Sequence, residues 1–343
     1  MAGRLIRTAL RSTVRHVRHV SPVRPRHATG LTAEVYRQLE RDFGMLAPPV
    51  SLHSPAPDVL AAVWAMLRES LVATTSVSRA TKEAVAAAVS DGNDCPYCVE
   101  VHDATLAGLG TADAAADAAA DWARASGTRD GAAAHRLPFA DAEAAQLIGV
   151  AVTFQYLNRV VNVFLDDSPL PPNVPASARV TAGRVLGRVM RGPALRGARP
   201  GDSLELLAPA PLPADLAWAA GEEHLALAFG RAAAAVEAAA ARSVPPAVRE
   251  LVTAELSTWD GRPPGLSRSW VDGPVSRLST QDQPAARLAL LVAKASYQVD
   301  DDVVAAYETT DAGLVELVSW AGLAAARRAG TWLAGQGPAA RAA

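Results

Sequence analysis

The chain is so rich in helix formers that little is left from which to build a sheet. Alanine, leucine and arginine, all strong helix formers, recur along its 343 residues, and runs of alternating β-branched residues are rare. The spacing agrees. Apolar residues at 60, 63, 64, 67 and 71 form a helical stripe over 60–72. Residues 81–89 read as a second helix, closed by the turn Ser90-Asp91-Gly92-Asn93-Asp94. Asp94 is the expected N-cap of a third helix with Pro96 in its first turn, and Gly108 and Gly110 stop it. Residues 111–125 follow as a helix anchored by Trp122, and 141–165 as a long helix apolar on most faces, hence buried. Residues 167–214 are rich in proline and glycine and read as a connector with one helical piece near 176–190. Helical pattern resumes at 215 and runs to about 333. The expected fold class is all-α.

Half of the residues are apolar and a fifth charged, ordinary for a packed globular protein long enough to bury a large core. Thirty-three basic residues against 35 acidic ones leave a net charge of −2, so no nucleic-acid partner is expected for the molecule as a whole. Only Lys82 and Lys294 are lysine, a bias that carries no functional reading. No glycine-rich phosphate loop occurs, so no nucleotide cofactor is expected. Residues 1–29 form a basic arm: Arg4, Arg7, Arg11, Arg15, Arg18, Arg24 and Arg26 are met by no acid. It is read as lying on the protein's own acidic surface in preference to acting as a targeting peptide. No secretory apolar core follows it, and no stretch of about 18 uncharged apolar residues occurs, so no transmembrane span is expected.

The chain repeats itself. Shifted by 167 residues, 76–96 lies over 243–263, with identity at Ser76/Ser243, Val77/Val244, Ala80/Ala247, Glu83/Glu250, Val85/Val252, Ala87/Ala254, Ser90/Ser257 and Pro96/Pro263. With three further residues of offset, 140–160 lies over 310–330. The expectation is two tandem helical units, 30–166 and 215–335, packed as an internal pseudo-dimer around the connector 167–214. Arg262, Gly265 and Ser269 stand in the second unit where the first has Cys95, Cys98 and His102. One active site per chain is therefore expected, in the N-terminal half.

That half holds both of the chain's cysteines. Glu83, eleven residues, Cys95-Pro96-Tyr97-Cys98, three residues and His102 make one constellation. At 100° per residue, positions 95, 98 and 102 project within about 60° of one another on a helix. Two thiols three apart at a helix N-terminus can close a disulfide, and the helix dipole there favours the thiolate. A thiolate attacks peroxide, a neighbouring thiol resolves the sulfenic acid, and a histidine and a carboxylate supply the base and acid. A zinc site of the same four residues and a purely structural pair are rival readings, although zinc sites ordinarily draw a second ligand pair from further along the chain. Sparing use of cysteine points to a reducing, cytoplasmic setting.

The pattern Glu-x11-Cys-x2-Cys-x3-His is similar to the signature of the alkylhydroperoxidase D-like branch of the carboxymuconolactone decarboxylase superfamily. Phe43-Gly44-Met45, Pro48-Pro49 and His53-Ser54-Pro55 resemble the stretch before that family's first core helix, and Asn158-Arg159 resembles the end of its domain. The likeness covers about 30–165 well and 215–333 as a weaker copy. It implies an all-α peroxidase with Cys98 as the peroxide-attacking thiol, Cys95 as the resolving thiol, and Glu83 with His102 as the proton relay. Some relatives have a histidine where this chain has Tyr97. Implied partners are hydrogen peroxide or organic hydroperoxides and an external thiol reductant (a lipoyl-bearing protein, a thioredoxin-like protein or a small thiol), and the family's habit is homo-oligomeric. No organic cofactor or metal is implied. The helix argument makes Cys95 the more exposed thiol, meeting the reductant outside while Cys98 meets peroxide in a pocket. A general thiol–disulfide oxidoreductase and a non-catalytic helical interaction protein are the other functional classes considered.

Among the remaining residues, His53 is expected to pack rather than catalyse, Asp300-Asp301-Asp302 to start a solvated helix rather than bind a cation, and His16, His19, His27, His135 and His224 to play no catalytic part. Trp259 and Trp270 are expected to fill, in the second unit, the space that the first keeps open.

Overall fold

The computed structural model describes residues 17–110, 114–135, 137, 139–170 and 174–334. Within them the chain forms helices and no strand. Residues 1–16 of the basic arm lie outside the described residues. The part of the arm that is described touches both halves: Arg18 pairs with Asp301 and the Ser21 amide donates to Asp311 (2.8 Å), while the Arg18 amide donates to the Phe164 carbonyl (2.7 Å) and the Val23 amide to Ser54 (2.7 Å).

Helix α1 (Gly30–Gln38) runs into a π-helical turn, Leu39–Phe43, and α2 (Pro57–Leu67) into another, Arg68–Val72. Next come α3 (Arg79–Gly92), α4 (Pro96–Leu109), α5 (Ala114–Ala125), α6 (Arg129–Ala134) and α7 (Asp141–Phe164). The proline- and glycine-rich stretch carries one 21-residue helix, α8 (Ala176–Arg196), longer than its sequence pattern suggested. The C-terminal half comprises α9 (Glu223–Ser243), α10 (Pro246–Thr258), α11 (Gln283–Ala295), α12 (Asp301–Ala305) and α13 (Asp311–Ala334).

Helix α3 is buried on every side from Ala80 to Ser90 and packs against α4, α5 and α7. Its alanines let neighbouring backbones close in, and the Ser78 side chain caps it by accepting from the Thr81 amide (3.1 Å). The helix runs through Ser90 and Asp91 to Gly92, so the expected turn is shorter than the sequence suggested. The N-cap of α4 is Cys95, not Asp94. A residue before proline is pushed toward extended backbone, and Cys95 takes φ −115°, ψ 80° ahead of Pro96. Asp94 absorbs the reversal at φ +50°. Gly110, at φ +73°, ends the helix as expected.

Helices α2 and α9 pack together, as do α7 and α13. Both α7 and α13 span 24 residues, offset by 170. By length and composition the segment Glu143–Phe164 could cross a membrane, which the sequence reading had excluded for the whole chain. The interruption at Arg159 is too sparse to disqualify it, but 94% of its most apolar window is buried inside the fold. It is a core helix.

Candidate active site

Three helices build the site. Cys95 and Cys98 stand at the N-cap and N3 of α4, His102 one turn further on, and Glu83 on α3 behind them. The structure brings all four together. Nδ1 of His102 lies 2.6 Å from one oxygen of Glu83, whose other oxygen accepts from Arg79 Nε (2.6 Å). Glu83 is fully buried. Burial opposes its ionisation, but the Arg79 and His102 charges and hydrogen bonds overcome that and hold its carboxyl below the usual range. An ionised carboxylate only accepts, so His102 donates to it from Nδ1, and Nε2 is the ring nitrogen left for other partners. Phe154 of α7 fixes the ring by an edge contact at 4.5 Å.

Cys98 and His102 face a cavity of about 580 Å³. Phe43, Met45 and Pro48 line it from before α2, Leu67 from α2, Phe154 and Leu157 from α7, and Val185, Leu186 and Met190 from α8. Besides Cys98 and His102, only Tyr97 and Thr181 bring side-chain polar atoms to it among the described residues. Burial pushes the Tyr97 phenol well up, so it stays neutral.

Both thiols are free and in hydrogen-bonding contact with each other. Cys95 is 1% exposed and Cys98 3%, and Cys98, not Cys95, lines the cavity. This corrects the expectation that Cys95 is the more open thiol. The reversal at Asp94 turns the N-cap inward, and the Cys95 amide is tied to the Ser90 carbonyl (3.0 Å). The helix N-terminus does not win at Cys98 either. Burial, then the neighbouring Cys95, push the Cys98 thiol well above its ordinary value, against hydrogen bonds from Asn158 and Ser90. At rest it is a thiol and needs a base.

Sequence reasoning missed three participants. Asn158 of α7 donates to Ser90 Oγ (2.9 Å) and accepts from Asn93 (3.0 Å), and with Ser90 it touches Cys98. Arg79 holds Glu83. Helix α8 forms the outer wall, fastened to α4 where Gly187 meets Gly108; a Cβ on Gly187 would lie 2.2 Å from the Ala104 carbonyl oxygen. A four-residue spacing from Arg79 to Glu83 was a readable signal. Asn158 was singled out only as resembling the end of the family's domain, and nothing local marked α8.

His53 and Asp300 fall as expected. His53 is buried, bonded to the Val50 carbonyl (3.1 Å) and the Tyr156 hydroxyl (2.8 Å), and burial lowers its pKa to about 4. Asp300 caps α12. In the C-terminal half α10 is followed by two short helical turns, Arg268–Val271 and Asp272–Val275. Glu250 is exposed, and Trp259 packs on Trp332 (5.6 Å) with the Arg159 guanidinium 5.7 Å from its ring. Among the described residues no group of three or more His, Cys, Asp or Glu side chains is arranged to hold a metal ion.

No family model matches the chain, and no solved structure is a significant match. A curated protein of Mycobacterium tuberculosis, named alkyl hydroperoxide reductase, is 40% identical over 339 residues, covering 93% of this chain and 96% of its own length. Identity at that level over nearly the whole of both chains fixes the kinship: the chain belongs to the alkylhydroperoxidase D-like family.

Proposed function

We propose that the protein is a thiol-dependent peroxidase of the alkylhydroperoxidase type, cycling through a Cys95–Cys98 disulfide. The observation that carries this is Cys98 on the wall of an apolar cavity, with His102 beside it, Glu83 behind His102 and Cys95 in contact. His102 Nε2 takes the Cys98 proton, directly or through a water. The thiolate attacks the terminal oxygen of ROOH, the O–O bond breaks, and ROH leaves with the proton that His102 returns. Cys98 is then a sulfenic acid. The Cys95 sulfur attacks it, the S–S bond forms, and water departs carrying the Cys95 proton. Two equivalents of an external thiol restore the pair, so ROOH and 2 R′SH give ROH, H₂O and R′S–SR′.

Both sulfurs are almost fully buried, which favours a small thiol or the slender arm of a lipoyl group as reductant over the broad surface of a thioredoxin-like protein. The relative's name supports the reading. The test is thiol-coupled consumption of tert-butyl hydroperoxide by the purified protein. Turnover abolished by Cys98→Ser supports the peroxidase. Exchange with protein disulfides but no peroxide consumption favours a general thiol–disulfide oxidoreductase.

We also infer that 30–166 and 215–335 are tandem copies, the second without chemistry. The pairing of α2 with α9 and of α7 with α13 is what a pseudo-two-fold arrangement requires.

A further inference from the structure

We propose that the outer face of α8 docks on an anionic phospholipid bilayer, and that apolar hydroperoxides carried by the bilayer enter the cavity that this helix walls. The delivery step rests on the peroxidase reading; the docking does not.

Helix α8 carries Arg179, Arg184, Arg188, Arg191 and Arg196 and no acid between 176 and 196. All five are exposed, and none has an ion pair among the described residues. Glu100 and Asp103 of α4 share the groove beside four of them, so two carboxylates meet four guanidiniums there and the face keeps a positive balance. Val180 (63% exposed), Val185 (50%) and Leu195 (61%) stand on the same helix. They are three of the five large apolar side chains so exposed among the described residues. Positions 180, 184, 188, 191 and 195 recur at helical spacing, so arginine and apolar residues share one stripe. Protein interfaces enrich aromatic anchors along with arginine, and α8 has no aromatic residue. At a bilayer interface arginines beside apolar side chains snorkel, keeping their guanidiniums at the headgroups while the neighbouring valine and leucine side chains dip below.

The same face opens on the site. Val185 is half exposed yet lines the cavity, and Thr181 does the same one turn earlier. Hydrogen peroxide would gain almost nothing from these walls, whereas each methylene they bury is worth about fourfold in affinity. The helix is fixed in place by the backbone contact between Gly187 and α4.

The test is flotation with vesicles of phosphatidylcholine, with and without phosphatidylglycerol. Wild type should float with the anionic vesicles only and be released by salt. Arg184→Ala/Arg188→Ala should weaken binding about thirtyfold, at about fivefold per arginine near an anionic surface, while consumption of soluble tert-butyl hydroperoxide stays unchanged. Val180→Asp/Leu195→Asp should also release the protein. Wild type that ignores anionic vesicles, or binding untouched by these substitutions, would overturn docking. A wild-type dimer split by Val180→Asp/Leu195→Asp, with no vesicle binding, would make the face a subunit contact and equally overturn it. Docking without preference for phospholipid hydroperoxide over hydrogen peroxide would overturn delivery. Docking by a protein that consumes no peroxide at all would sink the peroxidase reading alone.

Discussion

Glu83 and His102 are joined by a 2.6 Å hydrogen bond inside the fold, and Arg79 holds the second oxygen of the same carboxylate at 2.6 Å. The arrangement orients the imidazole with Nδ1 on the carboxylate, and in the proposed cycle Nε2 serves as base for Cys98, a thiol that burial keeps protonated and that lines the same cavity. His102→Gln is expected to slow Cys98 oxidation by about 10²–10⁴-fold. The loss should shrink as pH rises, because hydroxide then takes over the deprotonation. Stopped-flow measurement of Cys98 oxidation against pH checks this. A pH-independent loss would mean that His102 does not act as the base.

Asn158 supplies a second handle on the same sulfur. Its amide bonds Ser90 (2.9 Å) and touches Cys98, opposing the rise in the thiol's pKa. A hydrogen bond to a charged group is worth about 1.5–3 kcal/mol. Asn158→Leu should therefore move the pH profile of Cys98 alkylation upward by about one to two units. An unchanged profile would place Asn158 outside the site.

Gly187 is tested by its own crowding. A β-carbon there meets the Ala104 carbonyl oxygen at 2.2 Å, so Gly187→Val must push α8 off α4. The expected result is a loss of about 1–3 kcal/mol of stability from overpacking, with faster amide exchange across α8 and weaker binding of apolar ligands in the cavity. Exchange in α8 identical to wild type would show that α8 is not held by this contact.

Lys82 predicts a pH-dependent stability. It is buried, donates to the Ala73 carbonyl (2.9 Å), and has its pKa lowered by burial from 10.5 to about 7. Between those values the unfolded chain binds the proton and the folded one has released it, so stability rises with pH across that window. Lys82→Met should remove this slope and stabilise the protein most at and below pH 7. Thermal unfolding of both proteins at pH 6 and pH 9 measures it. Equal effects at both pH values would show that Lys82 stays charged in the fold.

How much was legible in the sequence follows from how local each feature is. The body of helix α4, its stop at Gly110 and the shared face of Cys98 and His102 depend on neighbours within four residues, and they stand as read. Glu83 was found because a short turn folds α3 back on α4. The cap at Cys95 was misplaced because Pro96 constrains the residue before it more strongly than Asp94 attracts the helix start. The openness of Cys95 was misjudged because exposure belongs to the packed molecule, not to a helix end. Asn158 and α8 reach the site from 60 and about 85 residues away, and no spacing rule announces such contacts.

Intact-mass analysis of the reduced protein titrated with hydroperoxide tests the central account most directly. Wild type should lose two hydrogens as Cys95 and Cys98 join, and Cys95→Ser should instead gain a single oxygen at Cys98. Unchanged masses in both proteins, or oxygen gained at Cys95 in Cys98→Ser but never at Cys98, would contradict it.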